Sequence, residues 1–363
     1  MAGDRFIGQA ESTRLFGDAL VYTQMAEGDY SDVTSPFRYR ILVPSFAWIL
    51  PFTATESLKI VSYTGLFVFY VVTLFVCKRL GFSLLASIGG LCVVFSTVWH
   101  LNNYNNPYLT DAAAIGLLAL MLLSAIWRSI IAFIVTSAMA VLTREITLLL
   151  IPIWLVTKQW RRAGAAIVVG VLVLMLPRLL MSSDSGFIDS VTNNFNRVDR
   201  VGDLTSLAKP VLLHWGFVGC LTIFGLVLTP GHRFPMIVLA FALLSFAAVS
   251  SSFLATDVGR MIAILSPVMA VSCAQLIMML LDSSRFISAL LFAVIVTQIF
   301  WVPTIITSRE GWVFDSVFPR AALGALEVIL ILAIVVILRT DLTREFGAKM
   351  TAAQGRMNNW RDS

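Results

Sequence analysis

Two carboxylates and a scatter of arginines stand out in a chain that is otherwise poor in charge. Asp18 and Tyr22 lie one helical turn apart in Gly17-Asp18-Ala19-Leu20-Val21-Tyr22, with Met25 on the same side. Arg38 and Arg40 follow in Pro36-Phe37-Arg38-Tyr39-Arg40, after Gly28 and Pro36 break the chain. Asp111 closes an asparagine-rich stretch, Asn102-Asn103-Tyr104-Asn105-Asn106-Pro107-Tyr108-Leu109-Thr110-Asp111, which His100 precedes. Arg144-Glu145, Arg178 and Asp257 with Arg260 complete the set. Carboxylates suit general acid–base work, and guanidiniums are bidentate partners for phosphate. Together they suit a polar, phosphate-bearing substrate. The competing reading of each charge is a paired ion that holds helix ends together.

The elements that must position these residues are apolar. Hydrophobic residues make up 58% of the 363 and charged residues 13%, with mean hydropathy +0.87. Soluble domains average about 45–50% apolar and about 25% charged. Apolar runs of about 20 residues recur, so the expected fold is an all-α integral membrane bundle. Spans are expected near 58–77, 80–99, 111–127, 163–181, 211–229, 234–254, 260–281, 286–304 and 321–338. The stretch 129–157, apolar but for Thr143-Arg144-Glu145, is read as two short helices meeting at a charged tip. That gives about eleven passes, two of them short half-helices. Residues 41–52 are too short to span and read as an interfacial piece. Residues 182–210 read as a surface helix. The domains expected are an extracytoplasmic segment over 1–40, a polytopic domain over 41–339 and a cytoplasmic tail over 340–363.

Lysine and arginine placement sets the orientation. With Lys78-Arg79 inside, alternation also places Arg128, Lys158, Arg161, Arg162, Arg233, Arg285 and the tail inside. The inner set then carries thirteen basic and four acidic residues, the outer set thirteen and seventeen. Every candidate charge named above falls outside. The N-terminal segment is outside too, with no helix before it. A short acidic N-tail can be translocated, and a first helix missing from this chain accounts for it equally well. The net charge of +5 is scattered, which excludes a nucleic-acid footprint. Cys77, Cys92, Cys220 and Cys273 all lie in apolar runs, so neither a disulfide framework nor a metal spacing is present. No glycine-rich phosphate loop or nucleophile elbow occurs.

The ordered set Gly-Asp-Ala-x-x-Tyr, Pro-Phe-Arg-Tyr-Arg-Ile-Leu-Val-Pro, Asn-Pro-Tyr-Leu-Thr-Asp, Thr-Arg-Glu-Ile-Thr and Thr-Asp-Val-Gly-Arg-Met resembles bacterial membrane glycosyltransferases of the C-type fold (GT-C). It covers roughly residues 15–270. The resemblance implies inverting transfer of a sugar from a polyprenyl-phosphate donor on the outer face of the bacterial inner membrane. It implies Asp18 as general base or metal holder and Asp111 as the second acidic position. Arg38, Arg40, Arg144, Arg178 and Arg260 would then neutralise the lipid phosphate, with Tyr22, His100, Glu145 and Asp257 completing the substrate site. A divalent metal is compatible with the acidic positions, although no ligand motif marks one, and the acceptor is unspecified. The chain departs from the family in lacking a preceding first helix and a large soluble C-terminal domain. The alternative function is a transporter or flippase for a lipid-linked or anionic solute.

Overall fold

Thr53 opens the longest helix. Its hydroxyl accepts from the Glu56 backbone N–H (3.3 Å), while the Glu56 carboxylate accepts from the Thr53 N–H (3.1 Å), a reciprocal cap that satisfies two orphan donors. Helix α3 then runs from Ala54 to Arg79 and ends on Lys78 and Arg79, where cations suit the helix dipole. At 1.5 Å per residue its 26 residues span about 39 Å.

The computed structural model describes residues 18–31, 33, 37–95, 97, 100, 103, 107–157, 160–180, 217–228, 235–252 and 263–281. Before α3 come α1 (Asp18–Ala26), a 3₁₀ turn (Phe37–Tyr39) and α2 (Leu42–Ile49). After it come α4 (Leu84–Phe95), α5 (Asp111–Ile126), α6 (Ile130–Thr143), a 3₁₀ run (Glu145–Thr157) and α7 (Trp160–Leu180). Helices α8 (Phe217–Leu228), α9 (Pro235–Ser252) and α10 (Ser266–Leu281) follow, the last preceded by a 3₁₀ turn (Ala263–Leu265). Among the described residues there is no strand, and the fold is all-α. The expected spans at 286–304 and 321–338, the surface helix at 182–210 and the tail lie outside the described residues. By packing, the chain divides into a unit ending at Met278 and a second beginning at Met279. The helices from α1 onward, up to Met278 in α10, belong to the first unit.

Helix α5 is the axis of this unit. Every residue from Asp111 to Ala125 except Leu120 is buried, as expected of a helix surrounded on all sides. Its broadest contact is with α3, and small residues allow it. A Cβ on Gly65 would stand 2.6 Å from Ala113 Cα, and one on Gly116 would stand 2.5 Å from Gly65 O. Glycine is therefore the side chain that fits at both positions. The Ser62 hydroxyl donates to Leu109 O across the same seam (3.1 Å). Gly90 of α4 meets the α10 backbone in the same way, as does Gly225 of α8.

Among the described residues two helices, Ala54–Arg79 and Trp160–Pro177, are long and apolar enough to cross a membrane. Both carry large apolar side chains on their outward faces: Ile60, Phe67 and Phe75 on α3, and Leu172, Leu176 and Leu179 on α7, the last 80% exposed. Among the differences from expectation, two have a local reason. Helix α4 starts at Leu84 rather than 80, because Gly81 (φ +85°) turns the chain and residues 80–83 are spent in that turn. The half of the expected helix pair that follows Arg144 is a 13-residue 3₁₀ run with Pro152 inside it, longer than the three or four residues such runs usually reach.

Candidate functional site

The site is built by bringing four separate stretches together. On α1, Ala19, Tyr22, Met25 and Ala26 form the buried stripe, and Asp18, in the helix's first turn, is partly exposed. Tyr22 stands edge-on to Phe37 (centroids 5.7 Å apart, planes at 79°). The Phe37–Tyr39 turn closes with Arg40 N–H donating to Phe37 O (2.9 Å), which sends the Arg40 side chain back over the Phe37 ring, 5.5 Å from its centroid.

From there Arg40 reaches two partners. Its Nη1 donates to the Tyr22 hydroxyl oxygen (3.2 Å). Its Nε and Nη2 donate to the two Glu145 oxygens (3.1 and 2.8 Å), a fork-on-fork ion pair that the planar guanidinium is shaped to make. Burial alone would lower the Arg40 pKa, but Tyr22 and Glu145 outweigh it and hold the proton more firmly than usual. The Thr110 hydroxyl also donates to the Tyr22 oxygen (3.4 Å). Next to Thr110, Asp111 accepts from Arg144 Nη1, and both side chains are almost wholly buried.

These contacts close a ring. It passes from Tyr22 to Arg40 to Glu145, along one peptide link to Arg144, across to Asp111, along another link to Thr110, and back to Tyr22. Arg144 is the joint that makes this possible. Helix α6 ends there with extended backbone (φ −159°, ψ 116°), and in extended backbone successive side chains point opposite ways. Arg144 and Glu145 therefore point apart, Arg144 towards Asp111 and Glu145 towards Arg40. Arg144 takes its partner from the start of α5, and Glu145 takes its partner from the link between the Phe37–Tyr39 turn and α2.

The ring gathers Tyr22, Arg40, Asp111, Arg144 and Glu145 from the expected set. Its closing contacts do not run through Asp18, Arg38 or His100. Asp18 is one turn from Tyr22, and Arg38 is half-buried on the Phe37–Tyr39 turn. His100 is buried against Phe69 (centroids 5.4 Å apart), with Nδ1 3.4 Å from the Tyr70 hydroxyl and Nε2 without a partner among the described residues. Burial pushes its pKa down to about 3, so the imidazole is neutral at physiological pH. Arg178 lies in the last turn of α7, while Asp257 and Arg260 lie outside the described residues. Thr110 and Phe37 are members that sequence reading missed. The signal for Thr110 was its place just before an acidic helix start.

Two chemical consequences follow. Two guanidiniums face two carboxylates, so the ring carries no surplus positive charge, and an anionic group that engages Arg40 or Arg144 competes with a carboxylate already paired there. Asp111, buried as the counter-ion of Arg144, is poorly placed to take a proton while that pair holds. Among the described residues no three His, Cys, Asp or Glu side chains gather into a group that could hold a metal.

No protein-family model, curated protein or solved structure matches this chain.

Proposed function

We propose that this chain is a polytopic membrane glycosyltransferase of GT-C type that takes a sugar from a polyprenyl-phosphate donor at the outer face of the bacterial cytoplasmic membrane. The observation that carries this reading is the ring. Four segments distant in sequence converge at one end of an apolar bundle, one helical turn from a partly exposed carboxylate. The membrane setting is supported by α3 and α7, whose apolar residues face outward as well as inward. Exposed apolar surface on that scale is unfavourable in water and favourable in lipid.

In the proposed reaction Asp18 removes the proton from an acceptor hydroxyl as its oxygen attacks the anomeric carbon. The bond from that carbon to the phosphate oxygen breaks, and the lipid phosphate leaves with the electron pair. Arg40 or Arg144, released from its carboxylate, offsets the charge that develops on the leaving group. A flippase or transporter would make different use of the helix break at Arg144, since interrupted helices line transport sites. In this chain the break lies at the ends of α5 and α6, not midway along them.

The test is transfer of labelled sugar from a polyprenyl-phosphate donor in proteoliposomes, comparing wild type with Asp18→Asn. The expected loss is on the order of 10²–10⁴-fold, the usual worth of general base catalysis, with donor binding within a few-fold of wild type. Full retention of transfer would remove Asp18 from the mechanism. Movement of the donor across vesicles that contain no acceptor would favour the transport reading.

A further inference from the structure

Helices α3 and α5 end in the same turn. After α3, Leu80 N–H donates to Val76 O, Gly81 N–H to Lys78 O and Phe82 N–H to Cys77 O, all at 3.0 Å. After α5, Trp127 N–H donates to Leu123 O, Arg128 N–H to Ala125 O and Ser129 N–H to Ser124 O, at 2.9 to 3.0 Å. Both turns need one residue in the left-handed region. The first places Gly81 there (φ +85°), as the geometry favours. The second places Arg128 there (φ +56°), at a penalty that only a backbone without Cβ avoids. An arginine held in strained backbone on an exposed turn points to a use for its side chain.

Its surroundings say which. Gly65 lies against Ala113 and Gly116 with both chains running the same way, so equal counts forward bring Lys78 and Arg79 level with Trp127 and Arg128. Helix α6 leaves from this turn and packs against α7; the 3₁₀ run after Arg144 lies along α7 where Leu148 and Ile151 meet Gly170, so it returns to this end before α7 starts with Trp160, Arg161 and Arg162. Lys78, Arg79, Arg128, Arg161 and Arg162 are all exposed. No Asp or Glu occurs in 76–84, 126–130 or 160–163. Helix dipoles explain Lys78 and Arg79, which sit at a helix C-terminus, but not Arg161, which sits where a dipole disfavours cations. Trp127 and Trp160 are 55% and 67% exposed, and Leu84 and Leu85 stand at the same level, 68% and 65% exposed. Cations beside exposed indoles at the rim of an apolar belt match a lipid headgroup layer better than a free anion or a nucleic acid.

We infer that the Lys78–Arg79, Trp127–Arg128 and Trp160–Arg162 corner is a docking site for the headgroup of an anionic phospholipid, at the end of the bundle opposite the charged ring. The inference rests on the membrane setting proposed above. It goes beyond the general preference for basic residues on one side, because it assigns Arg128 a role that its backbone would otherwise argue against.

The full chain in neutral detergent, titrated with phosphatidylglycerol, phosphatidylcholine or inorganic phosphate while thermal unfolding is followed, tests it. Phosphatidylglycerol should raise the midpoint and the other two should not. Arg161→Gln should leave the midpoint in phosphatidylcholine unchanged and raise the half-saturating phosphatidylglycerol concentration about fivefold, the worth of one cation near such a surface. Arg128→Gly should do the same while raising the phosphatidylcholine midpoint, because glycine relieves the turn. Equal stabilisation by phosphatidylcholine or phosphate, or phosphatidylglycerol dependence unchanged in both variants, would overturn the site. A chain that stays soluble without detergent would instead sink the membrane setting itself.

Discussion

Arg144 and Asp111 illustrate what a buried ion pair does and does not provide. Removing one partner leaves an uncompensated charge in the interior, which costs about 3–5 kcal/mol, whereas replacing both with apolar groups is often neutral. Arg144→Met alone should therefore abolish most folded protein, and Arg144→Met with Asp111→Leu should restore much of it, as judged by thermal melting in detergent. If the double variant melts as low as the single, the two residues are not each other's main partner. Tyr22→Phe should be milder. It removes one hydrogen-bond acceptor from Arg40, and bonds to charged groups are worth about 1.5–3 kcal/mol. His100 supplies a pH signature. Its folded pKa lies near 3, below the ordinary value of 6.5, so the unfolded chain binds the extra proton between those values. Stability should fall as pH drops from about 6.5 towards 3, more steeply in wild type than in His100→Gln. At this scale the sequence made the residue types legible but not their pairing. Asp18, Tyr22, Arg40, Asp111, Arg144 and Glu145 could all be assigned to one face. That Arg144 and Glu145 part company depends on an extended joint that charge counting does not reveal.

Helix packing explains why glycine recurs where α3, α4, α8 and α10 cross their neighbours. Gly116→Ala adds one methyl group whose carbon would stand 2.5 Å from Gly65 O, so α3 and α5 must separate. The expected loss is about 1–3 kcal/mol or more, since overpacking forces backbone shifts. Gly164 is the control. A Cβ there meets nothing within 4 Å, so Gly164→Ala should be neutral or stabilising by up to about 1 kcal/mol, through helix propensity. Equal destabilisation by both would show that close approach is not what glycine provides. Hydropathy found α3 but not its start, expected near 58 and set at Ala54 by the cap on Thr53. It also placed helices less well where one glycine or arginine sets the boundary. The 3₁₀ run after Arg144 left no sequence signal beyond Pro152, because isoleucine, leucine and threonine are compatible with either helix type.

Charge is sorted along the whole bundle. The ring of Tyr22, Arg40, Asp111, Arg144 and Glu145 occupies one end, and Lys78, Arg79, Arg128 and Arg161 lie towards the other, with no acidic residue next to them in sequence. Lysine and arginine alternation places these same two groups on opposite sides, and the chain directions of α3 and α5 separate them in the same way. Apolar outward faces on α3 and α7 supply the third feature of a membrane bundle. The proposed topology joins all three: in it the ring end faces outward, the arginine end faces inward, and lipid surrounds the helices between. Two-sided labelling of single cysteines probes it, in a chain whose four native cysteines are replaced by alanine. Glu27→Cys, on the exposed turn after α1, should react with a membrane-impermeant maleimide in intact cells. Arg161→Cys should react only after the cells are opened. Labelling of both from the same side would refute this topology.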